Sequence, residues 1–364
     1  MQAEHDERIP VTLLTGFLGS GKTTLLNRWL ADEQFADAAV IVNEFGEVGI
    51  DHALISSSSD ARIELRNGCL CCVMSGDLVD TLRTLYMERA EGKVRPFRRL
   101  VIETSGLADP APVMQMLMTK PAALRYRLAQ TITTIDMTCG LHSLDAFPES
   151  NRQASIADHL VLTKADLSAD RDARAALEAR LVALNPSACR HYSNHETWPR
   201  PHDLAEQQAE FDMRSGSASK WLNFRAYGAA PDGGNDAGGD GRYVRYDGAV
   251  PAAHTIGIQT FAMTFEAPIE WEHLAAWLDA LTIAHPQQIL RVKGIFAVAG
   301  REAPIAIHAV QGIFHPPVAL AGWPDDSRVS RVVFITQGIA REYVSEVLDV
   351  ILSRAPMAHD SPAL

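Results

Sequence analysis

The run Gly16-Phe17-Leu18-Gly19-Ser20-Gly21-Lys22-Thr23 constrains this chain more than any other feature. The apolar Val11-Thr12-Leu13-Leu14 before it reads as a short strand, and Thr24-Leu25-Leu26-Asn27-Arg28-Trp29-Leu30 behind it has helical spacing. Glycines between a strand and a helix let backbone N–H groups turn inward around phosphate oxygens, and the helix N-terminus adds its dipole. Lys22 then sits to neutralise the β- and γ-phosphates, and the Thr23 hydroxyl to hold Mg²⁺. This is the Walker A pattern of a Mg-dependent nucleoside triphosphatase.

The rest of the chain alternates in a way that suits such a loop. Apolar runs at Ala38–Val42, Leu100–Ile102, Thr131–Ile135 and His159–Leu162 interleave with helical segments at Asp77–Arg89, Ala111–Met118 and Ala169–Leu184. The spacing predicts an α/β fold, a parallel sheet covered by helices on both faces. The 364 residues suit two domains, because single cores stop growing at roughly 250 to 300 residues. Gly228–Arg242 is rich in Gly and Asp and has almost nothing to bury, as a flexible linker does. We therefore expect a nucleotide domain over 9–197, a linker over 198–254 and a smaller α+β domain over 255–355. In the last we expect strands at 255–265, 288–299, 305–313 and 329–336, with helices at 271–281 and 340–352.

Charge and hydropathy narrow the partners. A net charge of -12 repels nucleic acid, whose phosphates need clustered Lys and Arg. Arg95, Arg98 and Arg99 precede an apolar strand and read as its solvated approach. The first ten residues lack the apolar stretch of a signal peptide, and no segment reaches the roughly 20 apolar residues of a membrane span. The expectation is a cytoplasmic protein with no membrane partner.

Four further segments carry chemistry. Leu100-Val101-Ile102-Glu103 ends a buried strand in an acid, where a carboxylate reaches Mg²⁺ through water, so Glu103 takes that role beside catalytic Lys22. Thr163-Lys164-Ala165-Asp166 fits a guanine-reading loop, in which the Asp166 carboxylate accepts from the base's N1–H and 2-amino group; adenine offers no such donor pair. Its first position usually carries an amide, whereas Thr163 supplies a hydroxyl, so a plain polar turn before the helix near Ser168 is the competing reading. Asn43-Glu44-Phe45-Gly46-Glu47-Val48-Gly49-Ile50-Asp51 reads either as an exposed acidic loop or as a switch responsive to the γ-phosphate, with Asp51 approaching Mg²⁺ or the attacking water. Cys69-Leu70-Cys71-Cys72 crowds three of the five cysteines together. Three thiolates suit Zn²⁺ or a similar ion and leave a fourth position to fill, for which Glu44, Glu47 and His52 are candidates. Buried apolar cysteines and a redox pair are the alternatives for this segment. His308 and His315 flank a strand-like stretch and are left unassigned.

Taken together, these segments resemble the CobW-type metallochaperone GTPases, in the group that includes the nickel-insertion GTPases of urease and hydrogenase. The resemblance rests on Gly16 to Asn27, Asn43-Glu44-Phe45-Gly46, Gly68-Cys69-Leu70-Cys71-Cys72, Glu103-Thr104-Ser105-Gly106 and Thr163-Lys164-Ala165-Asp166. It continues through Leu290-Arg291-Val292-Lys293-Gly294 and His308-Ala309-Val310-Gln311, and so covers most of residues 10–355. It implies that Gly19, Ser20, Gly21, Lys22, Thr23 and Thr24 hold the phosphates and Mg²⁺, that Thr163, Lys164 and Asp166 hold guanine, and that Cys69, Cys71 and Cys72 carry Zn²⁺ or Co²⁺. The implied activity is hydrolysis of GTP coupled to delivery of that metal to a client metalloprotein. Many relatives carry a His-rich linker where this one is Gly- and Asp-rich. A regulatory switch that binds a partner through the C-terminal domain without metal transfer, and a small-molecule kinase on the same loop, are the other readings. The client and the oligomeric state are left open.

Overall fold

The computed structural model describes residues 7–35, 37–42, 62–64, 76–168, 170–200, 257–323 and 328–353, together with 204, 222 and 224. The chain divides into two units, residues 1–181 with 188–208, and residues 182–187 with 209–364.

The first unit is built on a parallel sheet. Its strands are β1 (Ile9–Gly16), β2 (Ala38–Val42), β3 (Arg62–Glu64), β4 (Arg99–Glu103), β5 (Tyr126–Asp136), β6 (His159–Thr163) and β7 (Cys189–Tyr192), in the order β3-β2-β4-β1-β5-β6-β7. Strand β1 is central, buried at Val11, Leu13 and Leu14, and pairs with β4 on one side and β5 on the other. The register aligns Leu14 with Glu103, Gly16 with Thr134, and Asp136 with Thr163. Four strands therefore finish together, and their last residues, Gly16, Glu103, Asp136 and Thr163, lie along one edge. In parallel sheets this carboxyl edge is where ligands bind.

Helices α1 (Lys22–Leu30), α2 (Gly76–Ala90), α3 (Ala111–Met118), α4 (Gly140–Ala146), α5 (Pro148–Ser155) and α6 (Arg171–Leu184) alternate with these strands. Leu25, Leu26 and Trp29 turn one face of α1 into a core with Leu14, Val40, Val101, Ile132 and Val161. Helix α6 starts at Arg171, two residues later than its periodicity suggested, because Asp170 Oδ1 accepts from the Asp172 and Ala173 amides and caps it. Strand β5 is longer than its apolar run, since its first half carries exposed and half-buried residues and still pairs with β1 from Ile9 onward. Helices α4 and α5 and strands β3 and β7 have no counterpart in the hydrophobic pattern. Helix α5, Pro-Glu-Ser-Asn-Arg-Gln-Ala-Ser, has only one apolar residue besides its proline with which to signal a buried face.

The second unit is antiparallel. Strands β8 (Ile258–Phe265), β9 (Ile289–Phe296), β10 (Ile305–Val310), β11 (Ile313–Phe314), β12 (Val318–Ala319) and β13 (Ser330–Gln337) run in the order β11-β10-β9-β13-β8, with β12 also on β10. Helices α7 (Trp271–Ala284) and α8 (Arg341–Leu352) supply Leu274, Trp277, Leu278, Leu281, Val344 and Leu348 to a core with Phe261, Phe265, Phe296 and Phe334 from the strands. The stretch 305–313 that reads as one strand is a hairpin. Gln311 and Gly312 have φ of 49° and 73°, and Val310 pairs with Ile313 across them. A two-residue turn with both central residues left-handed matches the twist of its strands, and the chain reverses there.

Candidate functional site

At the carboxyl edge of the first unit, β1 passes into the glycine-rich loop. Gly16 has φ 142°, and a Cβ there would lie 2.3 Å from Thr134 Oγ1 and 2.8 Å from Ser20 Oγ, so no side chain fits. Gly19 and Gly21 have φ of 70° and 91°, which L side chains adopt only with strain. Gly21 caps α1 with no side-chain hydrogen bond, leaving the helix N-terminus open to an anion. Ser20 is buried, with its hydroxyl 2.6 Å from Thr134 Oγ1, while Thr24 is exposed on the first turn.

Lys22 is only 8% exposed, and its Nζ donates to the carbonyls of Gly16 at 3.0 Å and Phe17 at 3.2 Å. The ammonium thus lies over the loop it belongs to. Thr23 Oγ1 donates to Glu103 Oε1 at 2.7 Å, and Glu103 is 3% exposed. The next residue pins the end of β4 against β1: Thr104 N donates to Leu14 O at 2.9 Å and its Oγ1 to Thr15 Oγ1 at 2.8 Å. A hydroxyl and a buried carboxylate side by side form a hard, all-oxygen donor pair, which fits Mg²⁺ and not a softer ion.

The loop after β6 is tied to the same frame. Thr163 is buried, and its Oγ1 donates to Ser20 O at 2.7 Å and to Ile135 O at 3.2 Å. Its hydroxyl therefore fastens the Thr163–Asp166 loop to the phosphate-binding loop. Lys164 is left-handed at φ 56°, and its Nζ pairs with Asp136 Oδ2 at 2.5 Å. Asp136, buried at the end of β5, also accepts from Thr138 N and Thr138 Oγ1, each at 2.7 Å. Burial pushes its carboxyl pKa up, but the bonds from Lys164 and Thr138 outweigh this and hold it below the ordinary 3.8. Asp166 is exposed, on a turn closed by Leu167 N on Lys164 O and anchored by Ala165 N on Ser193 O. From α1, Arg28 donates to Asn194 O at 2.7 Å and His195 O at 3.1 Å, holding the strand-β7 loop beside that turn.

The structure therefore brings Gly19–Thr24, Glu103, Thr163 and Lys164 to one edge. Cys69, Cys71, Cys72, Asp51, Glu44, Glu47 and His52 lie outside the described residues. Among the described residues no group of three or more His, Cys, Asp or Glu assembles a metal site. His308 and His315 stack in the second unit with centroids 4.5 Å apart. Asp136 is not among the residues singled out above, although it ends an apolar strand in an acid as Glu103 does, and that shared signal identifies it.

Residues 10–191 match the family model for the CobW/HypB/UreG nucleotide-binding domain, and residues 258–352 match that for the cobalamin synthesis protein cobW C-terminal domain. Zinc chaperone YjiA of Escherichia coli is 29% identical over 336 residues, covering 90% of this chain and 93% of the relative. Zinc chaperone CobW of Pseudomonas aeruginosa is 27% identical over 379 residues, covering 95% and 92%. The crystal structure of Zn(II)-bound YjiA GTPase from E. coli superposes with a TM-score of 0.67 at 23% identity, over 94% of this chain and 99% of that one. At that identity the match shows a shared fold. No described helix is long and apolar enough to cross a membrane.

Proposed function

The chain belongs to the CobW/HypB/UreG family of P-loop GTPases and carries the CobW C-terminal domain, and on that premise we propose that it hydrolyses GTP to GDP and phosphate to time the delivery of zinc, or a similar divalent metal such as cobalt, to a client metalloprotein in the cytoplasm. The observation that supports this best is the carboxyl edge of the parallel sheet. There an uncapped helix N-terminus, the Lys22 ammonium and the Thr23–Glu103 pair meet within one loop's reach.

In this reading Gly19, Ser20, Gly21 and Thr24 cradle the phosphates, and Lys22 leaves its two loop carbonyls for the β- and γ-oxygens. Thr23 and Glu103 hold Mg²⁺, which neutralises charge on the phosphoryl oxygens. Asp51 orients the attacking water. Thr163 sets the height of the base-reading loop, Lys164 lies along the base, and Asp166 reads guanine. Cys69, Cys71 and Cys72 take the transferred metal as thiolates, with the fourth ligand drawn from Glu44, Glu47 or His52. Two relatives named zinc chaperones support zinc as the cargo.

The test is phosphate release from GTP and from ATP with Mg²⁺ and no acceptor. GTP should be preferred, and release without an acceptor separates a hydrolase from a kinase. Asp166→Asn removes the carboxylate that accepts from guanine, and a hydrogen bond to a charged group contributes about 1.5–3 kcal/mol. The GTP-over-ATP preference in kcat/KM should fall roughly 10- to 100-fold. Equal turnover of the two nucleotides by the unaltered chain would remove guanine from the proposal.

A further inference from the structure

Helix α5 has the composition of a solvent-facing segment, yet Ser150, Asn151, Gln153 and Ser155 are all buried. Buried amides and hydroxyls are costly unless each finds a partner. Most of these partners are local. The Asn151 amide donates to the carbonyls of Leu144 and Phe147, and Ser155 Oγ donates to Asn151 O at 2.7 Å.

Gln153 is different, because its Nε2 reaches out of the helix to Gly106 O at 3.1 Å and Ala108 O at 3.0 Å. The residue is 0% exposed, and its Oε1 accepts no hydrogen bond among the described residues. A Met or Leu would fill this space without a buried unused acceptor. What the position uses is therefore the donor end of the amide.

Both carbonyls belong to the loop Ser105–Asp109, which follows Glu103 and Thr104. Its far end is held by α5 as well, through the Arg152–Asp109 ion pair at 2.9 Å. In its middle, a Cβ on Gly106 would lie 2.7 Å from Leu18 N and 2.8 Å from Leu18 Cα, so the loop meets the phosphate-binding loop backbone to backbone. At the start of α5, Phe147 stacks on Phe17 with centroids 4.6 Å apart. One helix thus braces two loops, the one that would hold the phosphates and the one that leads away from the Mg-linked carboxylate.

We propose that Gln153 is a positioning residue, a latch that presets the Ser105–Asp109 backbone against the phosphate-binding loop and so lets the site tell a nucleoside triphosphate from a diphosphate. The inference rests on the reading of this edge as a GTPase centre. Gln153 touches neither phosphate nor metal and acts through the Gly106 and Ala108 carbonyls alone. Without the latch the loop must order itself at the moment the γ-phosphate arrives, and the triphosphate bears that loss of conformational freedom while the diphosphate does not.

The experiment is equilibrium binding of GDP and of a non-hydrolysable GTP analogue, with Mg²⁺, to the full chain and to Gln153→Met, which matches the side chain in length. Preference for the analogue over GDP should fall about tenfold, the loss expected for two neutral hydrogen bonds, with the Kd for GDP unchanged within about twofold. Gln153→Glu, which exchanges donors for acceptors, should move the ratio in the same direction. Equal weakening of both nucleotides, or no change in either, overturns the latch. Should neither variant fold, amide exchange on the unaltered chain decides: a preset loop keeps residues 105–109 equally protected with GDP and with the analogue, and protection gained only with the analogue overturns the proposal. An unaltered chain that binds neither nucleotide and releases no phosphate from GTP overturns the GTPase reading and the latch together. An unaltered chain that hydrolyses GTP, beside a Gln153→Met chain with the same triphosphate preference, overturns the latch alone.

Discussion

Lys22→Ala should lower GTP hydrolysis at saturating GTP by roughly 100- to 1000-fold while leaving the fold in place. In the structure the ammonium donates to Gly16 O and Phe17 O, two carbonyls of its own loop. The turn itself rests on Gly16, Gly19 and Gly21, with φ of 142°, 70° and 91°, so the fold is expected to survive the loss of those contacts. The loss appears when negative charge concentrates between the β- and γ-phosphates. Removing one preorganised hydrogen-bond donor from a transition state costs about 2.7–4 kcal/mol, which is the fold-change given. Single-turnover phosphate release measures it, and a thermal melt within a few degrees of the unaltered chain separates chemistry from unfolding. Retained turnover would mean that the charge on the phosphates is met elsewhere.

Trp277→Ala should destabilise the second unit by about 3–5 kcal/mol, the usual range for truncating a buried aromatic. Trp277 is 0% exposed and packs edge-on against Phe265 and Phe334 at centroid distances of 5.8 Å each. Its Nε1 donates to Val344 O at 3.0 Å, so the indole also joins α7 to α8. Alanine leaves a cavity between helix and sheet and takes that donor from a buried carbonyl, two penalties that act in the same direction. Chemical denaturation followed by tryptophan-independent far-UV circular dichroism checks it. A change under about 1 kcal/mol would show that the helix pair holds to the sheet without this anchor.

The residues whose type no other residue can replace were the ones legible in the sequence. Left-handed glycines, a lysine and a hydroxyl in fixed order mark the phosphate-binding loop, and apolar runs of three to five residues located β2, β4 and β6 because these strands are buried on both faces. What could not be read there depends on partners distant in sequence. Thr163 looked like a weak substitute for an amide; its hydroxyl turns out to be fastened to Ser20 O, 143 residues away. Helix α5 buries polar side chains, most with local partners and Gln153 with the carbonyls of another loop, so apolar periodicity is silent about it, and with it about Gln153. The turn at Gln311–Gly312 interrupts an otherwise continuous β pattern, because Gln carries little signal for a left-handed conformation. Asp136 was open to the same argument as Glu103, and its pairing with Lys164 shows why both strand ends matter.

Under the proposed function the nucleotide state sets metal affinity, and linkage makes this reciprocal: metal that binds the GTP state more tightly must tighten GTP by the same factor. The direct measurement is Zn²⁺ affinity by competition with a chromophoric chelator, on the full chain with Mg·GDP and with a non-hydrolysable GTP analogue, beside Cys71→Ser. Tighter Zn²⁺ binding with the analogue, by roughly 5- to 150-fold as coupling free energies usually give, together with loss of that difference in Cys71→Ser, is the predicted result. Equal Zn²⁺ affinity in the two nucleotide states, or a difference that survives Cys71→Ser, would contradict it.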